Sequence, residues 1–365
     1  MPRLHWVAID CKTRFAGLSR HLPRIRVAGM EKPSLRVRLS DVARRAGVSA
    51  STVSRVLSHP DVVADATRNA VMRAVHETGY RMNHAARNLR KGRTGAVVAL
   101  VPNLGNPFFA KILDGIRREL AGAGYDLLVA DTLDGQGRHT ALRRFLDPSR
   151  ADGIILLDGL VPRDRLDAPG QPPVITACEW IEGATLPRVM LDNAQGARLA
   201  VTHLREAGHG HIGLIGGPPL NVLHKDRMRG ARDAAQGLCL TLFPGDFTLA
   251  AGQAAADLWA ELPTGDRPTG IFAFSDEMAC AFLSTLQRRG FTVPRDLSLI
   301  GFDDIELASH LAPALTTIRQ PKRDLGQSAA RVILDRIEGQ DVAPVTLLEP
   351  QLMRRETVAP PPGRG

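Results

Sequence analysis

Aromatic side chains are scarce in this chain of 365 residues, only 4% of the total, and there are four cysteines, Cys11, Cys178, Cys239 and Cys280. They lie far apart with no C-x-x-C pair, which argues against a disulfide framework or a structural zinc and suits a reducing compartment. Long apolar runs are missing as well. The longest, such as GAVVALVP at 95–102, are far too short to span a bilayer. The N-terminus has no continuous apolar segment of the kind a secretory signal requires. Catalytic signatures are equally thin. GLIGGPP at 213–219 is glycine-rich but lacks the Lys-Ser/Thr of a phosphate-binding loop and the G-x-G-x-x-G spacing of a dinucleotide site. No nucleophile, base and orienting group fall into a recognisable motif. His203, His209 and His211 do not have convincing metal-ligand spacing. These absences disfavour an enzyme and leave no cofactor or metal to expect.

What is present is an uneven spread of charge. The formal net charge is +9. Residues 1–93 hold 19 Lys and Arg against 6 Asp and Glu, a net of +13, while 94–365 hold 28 against 32, a net of −4. A basic module on a mildly acidic body is an electrostatic footprint for nucleic acid. Residues 1–37 show no sustained periodicity and read as a basic leader, disordered or mis-started, with Met30 a candidate biological start. Residues 30–93 alone keep 13 basic against 5 acidic residues, so the signal does not depend on the leader.

From Leu39 to Gly79 the apolar spacing is helical. Val42, Ala43 and Ala46 form one stripe, which Gly47 ends. Ser49 is placed to cap a second helix, with Val48 before the cap and Val53 inside the helix as a hydrophobic staple. Val53, Val56 and Leu57 give that helix a buried face. DATRNAVMRAVHETGY at 65–80 predicts a third helix, with Val71, Ala74 and Val75 inward and Gly79 at its end. Three short helices around a tight glycine turn make a helix-turn-helix unit. Its second helix would enter the major groove with Ala50, Ser51, Thr52 and Ser54 near the DNA and Arg55 one turn on. Small residues allow close approach, hydroxyls bond phosphates or bases, and an arginine grips guanine with two hydrogen bonds. The alternative is a solvated face of an ordinary three-helix bundle.

From residue 95 short apolar runs recur: GAVVALVP, DLLVAD, GIILLD, PVITAC, RVMLD, HIGLIGGP, GIFAFS and LSLIGFDD. Most are separated by amphipathic stretches, which predicts βαβ units and parallel sheets. About 250 such residues suffice for two α/β layers divided near RVMLDN, with ligand space where strand C-termini face each other.

The stretch LSDVARRAGVSASTVSRVLS at 39–58, followed by TRNAVMRAVHETGYRMNHAARNLR at 67–90, resembles the N-terminal signature of the LacI/GalR transcriptional repressors. The likeness runs over roughly residues 38–358. It implies a helix-turn-helix headpiece at 38–82, a hinge helix and linker at 83–93, and an effector-binding and dimerisation core at 94–358, with a tail at 359–365. The core would be periplasmic-binding-protein-like, two doubly wound parallel-sheet subdomains at about 94–190 and 191–304, each with a return segment. NHAARNLR at 83–90 would be the hinge, with Asn83, Ala86 and Arg87 at the minor groove and Leu89 wedged between base steps. A linker residue packed on the core is the plainer alternative for Leu89. Effector contacts would come from Phe108, Phe109, Arg227, Ser275, Asp276 and Asp303. Plain core packing competes for both phenylalanines and helix capping for Asp276.

Three departures stand out: Met82 in place of a proline before the hinge, Ala64 in place of a serine capping the third helix, and Ser58 in place of an asparagine. Asp65 becomes the substitute cap. The partners implied are a double-stranded operator, a second copy of the chain with higher assembly open, and a small polar effector, a sugar or sugar derivative first and a purine second. A membrane is not among them, and the cytoplasm is the expected compartment. The rival is a secreted solute receptor, which would share the core fold but have no need of residues 38–90.

Overall fold

Helix α1 (Leu39–Ala46) begins where the Asp41 carboxylate accepts the Arg38 N–H at 2.9 Å. It stops at Gly47, whose φ of 67° is a backbone state that a side chain disfavours. Ser49 accepts the Thr52 N–H at 3.1 Å and so starts α2 (Ala50–Ser58). A single 3-10 turn at Pro60–Val62 leads to α3 (Asp65–Thr78), which Gly79 ends. Val42, Ala43, Val53, Val56, Val71 and Ala74 form the buried centre, with Val48, Leu57 and Val75 packed around it. Arg45 and Glu77 close the outside at 2.6 Å. Asp65 does not cap α3: its carboxylate pairs with Arg68, and Ala64 at the cap position has no side chain to offer.

This computed structural model describes residues 37–81, 88, 92–132, 137–163, 166 and 170–363. The chain divides into two units, one ending at Asn83 and the other beginning at His84. The second unit starts with β1 (Ala96–Val101), α4 (Phe108–Gly122), β2 (Asp126–Asp131), α5 (Gly137–Phe145), β3 (Gly153–Leu156), β4 (Val174–Ala177) and β5 (Arg188–Leu191). It continues with α6 (Asn193–Glu206), β6 (His211–Ile215), α7 (Val222–Ala234), β7 (Cys239–Phe243), α8 (Leu249–Glu261), β8 (Gly270–Ala273), α9 (Asp276–Arg288) and β9 (Ser298–Asp303). The last elements are β10 (Thr316–Arg319), α10 (Lys322–Ile337), β11 (Val345–Leu348) and β12 (Gln351–Met353).

Two six-stranded sheets result, ordered β11-β5-β4-β3-β1-β2 and β12-β10-β9-β8-β6-β7. All neighbours run parallel except β10 and β12. Central strands such as β1, β3 and β9 are apolar on both faces because helices cover both sides, whereas edge strand β2 exposes Leu128 and Val129. Both sheets reverse strand order at the same relative place, beside β1 in one and β6 in the other. Such a switch point leaves a crevice at the strand C-termini. The chain passes between sheets after β5, after β10 and after β11. Helix α10 lies directly on α4, where a Cβ on Gly115 would strike the Arg323 carbonyl and one on Gly326 the Ile112 carbonyl. No helix among the described residues is long and apolar enough to cross a membrane.

Candidate DNA-reading helix and ligand cleft

In the three-helix unit, the start of α2 carries Ala50 and Ser51 exposed and Thr52 half-buried. The Ser49 hydroxyl lies 2.7 Å from that of Ser51 and 2.8 Å from that of Thr52. Each hydroxyl has one donor and two acceptor sites, so the cluster keeps bonding capacity for an outside partner. Ser54 is half-buried one residue from Arg55, which is exposed and whose side chain forms no hydrogen bond or ion pair with a described residue. An uncommitted guanidinium beyond a small-residue helix start is sterically and electrostatically ready for a groove lined with acceptors. Asn83, Ala86, Arg87 and Leu89 lie outside the described residues.

In the second unit a cavity of about 200 Å³ lies at the C-terminal ends of both sheets. From the first sheet, the loop after β1 brings Asn106, Phe108 and Phe109, the end of β3 brings Asp158, and the end of β4 brings Cys178 and Glu179. Phe108 and Phe109 meet edge to face with ring centroids 5.1 Å apart. Both line the cavity and both are buried in the core cluster, so stacking on a ligand and packing are not exclusive. From the second sheet come Asn221 and Arg227 after β6, Phe247 after β7, Ser275 after β8, Asp303 at the end of β9 and Gln320 after β10.

Arg227 is 2% exposed and fixed in several directions. Its Nε donates to the Asn193 side-chain oxygen at 2.9 Å, its Nη1 to the Phe274 carbonyl, and its plane lies 3.7 Å from the Phe302 ring centroid. The remaining Nη2 faces Asp303 Oδ1 at 4.0 Å. Burial lowers the guanidinium pKa to about 10, partly countered by Asp303, which leaves it charged at neutral pH. Asp303 has a φ of 119°, a backbone state rarely taken by a side-chain-bearing residue, and Asp304 follows at 53°. The turn is held from several sides. Lys322 Nζ donates to both backbone carbonyls, and Gln320 Nε2 donates to Asp303 Oδ1 at 2.6 Å. Arg319 and Arg355 each reach the Asp304 carboxylate at 2.6 Å. Burial pushes the Asp303 carboxyl up, against the pull of Arg227 and Lys322.

Ser275 lines the cavity while its hydroxyl accepts the Met278 N–H at 3.3 Å and caps α9. Asp276 is not on the cavity wall. It is fully buried, with one carboxylate oxygen on the Ile305 N–H at 2.8 Å and the other on the Thr317 hydroxyl at 2.5 Å. It ties β9 and β10 to α9 from behind, and burial pushes its carboxyl pKa well up. Neither helix capping nor ligand contact describes it. His209 and His211 are engaged in packing contacts: the ring of His209 lies between the Thr269 hydroxyl and the Ala359 carbonyl, and that of His211 on Thr241.

Sequence reasoning missed Asp158, Glu179, Asn221, Phe247 and Gln320. Asp158 and Glu179 had a usable signal, since each stands one or two residues past a buried apolar run. Asp158 accepts the Thr132 hydroxyl at 2.5 Å and Arg138 Nε at 2.7 Å. Glu179 accepts the Gly159 N–H at 2.8 Å and Asn221 Nδ2 at 3.0 Å, the latter a bond between elements of the two sheets.

Residues 38–83 match the bacterial regulatory proteins, lacI family, and residues 201–358 match a periplasmic binding protein-like domain. The HTH-type transcriptional repressor CytR of Escherichia coli (strain K12) is 37% identical over 311 residues, covering 83% of this chain and 91% of that protein. Among solved structures, a transcriptional regulator CelR-cellobiose complex superposes with a TM-score of 0.67 at 33% identity, covering 88% of this chain and all of that one. The lac repressor dimer bound to operator and the anti-inducer ONPF gives 0.75 at 27% identity, covering 88% of this chain and 99% of that one. A helix-turn-helix joined to a two-sheet cleft, and likeness to a repressor along nearly its whole length, have one meaning: the chain belongs to the LacI family and is a DNA-binding transcriptional regulator, not a solute receptor.

Proposed function

We propose that this protein represses transcription as a homodimer on a pseudo-palindromic operator, and that a small polar effector closing the cleft switches its grip. One observation carries the reading: the same chain holds a cation-rich helix-turn-helix with an uncommitted Arg55 and a cleft whose walls come from both sheets. In this reading Ala50, Ser51, Thr52, Ser54 and Arg55 meet the major groove. Asn83, Ala86, Arg87 and Leu89 meet the minor groove through a hinge helix that folds on the operator, since so short a helix is marginal alone. Phe108, Phe109, Arg227, Ser275 and Asp303 hold the effector, and Asp276 supports them from outside the wall. The working boundaries are a headpiece at 38–82, a hinge at 83–93 and a core at 94–358.

A ligand touching both sheets binds the closed cleft better than the open one and shifts the population accordingly. The cellobiose in the CelR complex supports a sugar or sugar derivative as the effector class. The protein carries out no catalysis and works in the cytoplasm, where operators are. Selection of genomic fragments bound by the purified full chain tests this. Recovery of a two-fold symmetric motif is the expected result, and its occupancy changes when the effector is added. No preference for any duplex over random competitor at moderate salt, with or without small metabolites, would falsify it.

A further inference from the structure

The inner cavity carries more negative than positive groups. Its two cations each stand against a carboxylate, Arg138 on Asp158 at 2.7 Å and Arg227 facing Asp303 at 4.0 Å. Asp246 at the exposed rim and Glu179 in the wall are left over, and neither forms an ion pair with a described residue. Glu179 has accepted two hydrogen bonds, from Gly159 and Asn221. An ionised carboxylate has about four acceptor positions, so roughly two remain for a ligand's hydroxyl or N–H. Its position is also strategic. Glu179 and Asn221, with Leu160, belong both to the inner cavity and to a second one of about 290 Å³ beside it, so the three form the partition between the two. The second cavity has Arg163, but Glu179 and Glu182 with it, and gains no net positive charge.

The usual seats for a phosphate are taken. Helix N-termini bind anions through free N–H groups, and four helices whose first N–H groups meet a side chain, α4, α7, α8 and α9, begin at this cavity. In each of the four a neutral side chain already takes one of those N–H groups. Asn106 accepts the Phe108 N–H at 2.8 Å, Asn221 the Leu223 N–H at 2.8 Å, Thr248 the Ala251 N–H at 3.2 Å, and Ser275 the Met278 N–H at 3.3 Å. Of the Arg227 nitrogens, only Nη2 is not committed to Asn193 or Phe274, and it faces Asp303. A phosphate ester would bring up to two negative charges next to an uncompensated carboxylate, with no donor set waiting for it.

We propose that Glu179 is a specificity-determining residue that makes the cleft a filter: it accepts hydroxyl or N–H donors of uncharged, polyhydroxylated effectors and turns away their phosphorylated or carboxylated counterparts. This rests on the reading of the cleft as the effector site. Burial raises the Glu179 carboxyl pKa, with its hydrogen bonds from Asn221 and Gly159 and the more distant Arg227 acting in the opposite sense. The test is calorimetric titration of the full chain with matched pairs. Pentoses, hexoses, disaccharides and nucleosides are each set against their phosphate esters. At least one neutral compound binds, and every binder exceeds its ester by tenfold or more. Glu179→Gln keeps the shape but removes the charge, and shrinks that ratio about tenfold by weakening the neutral compound and strengthening the ester. Esters that bind within tenfold of their neutral partners, or a ratio unchanged in Glu179→Gln, overturn the filter and leave the effector site standing. A panel in which neither kind binds overturns the effector-site reading itself, and the filter with it.

Discussion

The DNA-reading helix and the ligand cleft solve recognition in opposite ways. The helix gathers its contact candidates within six consecutive positions, Ala50 to Arg55, on one exposed surface over a six-residue buried centre. The cleft takes its wall from segments that follow strands of both sheets, between residues 102 and 320, and buries Asp158, Arg227 and Asp303. A contact on the helix is a free side chain awaiting a partner. One in the cleft is already part of a hydrogen-bonded network. Removing a residue should therefore cost function without stability in the first region, and both together in the second.

The largest expected effect tests the second half of that contrast. Arg227→Ala deprives Asn193, the Phe274 carbonyl and Asp303 of their shared cation. Taking one partner from a buried charged network costs about 3–5 kcal/mol. Urea unfolding should show the core weakened by that order, with the effector response gone as well. Arg55→Ala should do the reverse. Its side chain forms no hydrogen bond or ion pair with a described residue, so the melting curve stays where it is, while discrimination for the cognate base falls by about 1–3 kcal/mol. Binding-site selection on the variant would read this directly, and an unchanged ranking of sites would remove Arg55 from its role.

The same contrast decides what could be read in advance. The three helices follow from local chemistry: a glycine stop, the Ser49 cap, and apolar spacing of three and four. Eight of the strands were legible as apolar runs, but buried β10 was not, since two of its four residues are threonine. The edge strand β7 (CLTLF) was not among those runs, because half-exposed positions and Thr241 dilute its pattern. In the cleft, Arg227 and Asp303 came with the family likeness, whereas Asn221, Phe247 and Gln320 are joined only by the fold. No local spacing links Glu179 to Asn221, 42 positions on. Asp276 misled because its sequence neighbour Ser275 faces the cavity, while the first turn of α9 directs Asp276 behind it.

Titration separates the regions further. Burial lowers the pKa of His209, the Ala359 carbonyl notwithstanding, and lowers those of His203, His211 and His224. A folded-state imidazole pKa below the unfolded one gives stability that is complete above the unfolded value of about 6.5 and is lost as pH falls through the folded value. In urea, core stability should therefore lose this histidine contribution on acidification below pH 6.5, against the opposite pull of the raised Asp276 and Asp303 carboxyls. His209→Gln, whose amide can still bridge Thr269 and Ala359, should flatten the slope; an unaltered slope would mean that folding leaves the His209 pKa unshifted.

The smallest effect sharpens the comparison from the headpiece side. Ala64 sits at the cap of α3 with φ −54° and ψ 140°, an extended geometry that a capping serine tolerates, yet it supplies no acceptor. Asp65 is one position too late and is drawn to Arg68 instead. One or more of the first N–H groups of α3 thus lack a side-chain partner, in a unit whose whole centre is six small residues. Ala64→Ser should restore that acceptor and stabilise the headpiece by about 1 kcal/mol. In so small a core that is a shift of several degrees in melting temperature. The core unit should melt unchanged. If instead both transitions rise together, the headpiece does not unfold on its own, and separating function from stability by region would fail at its starting point.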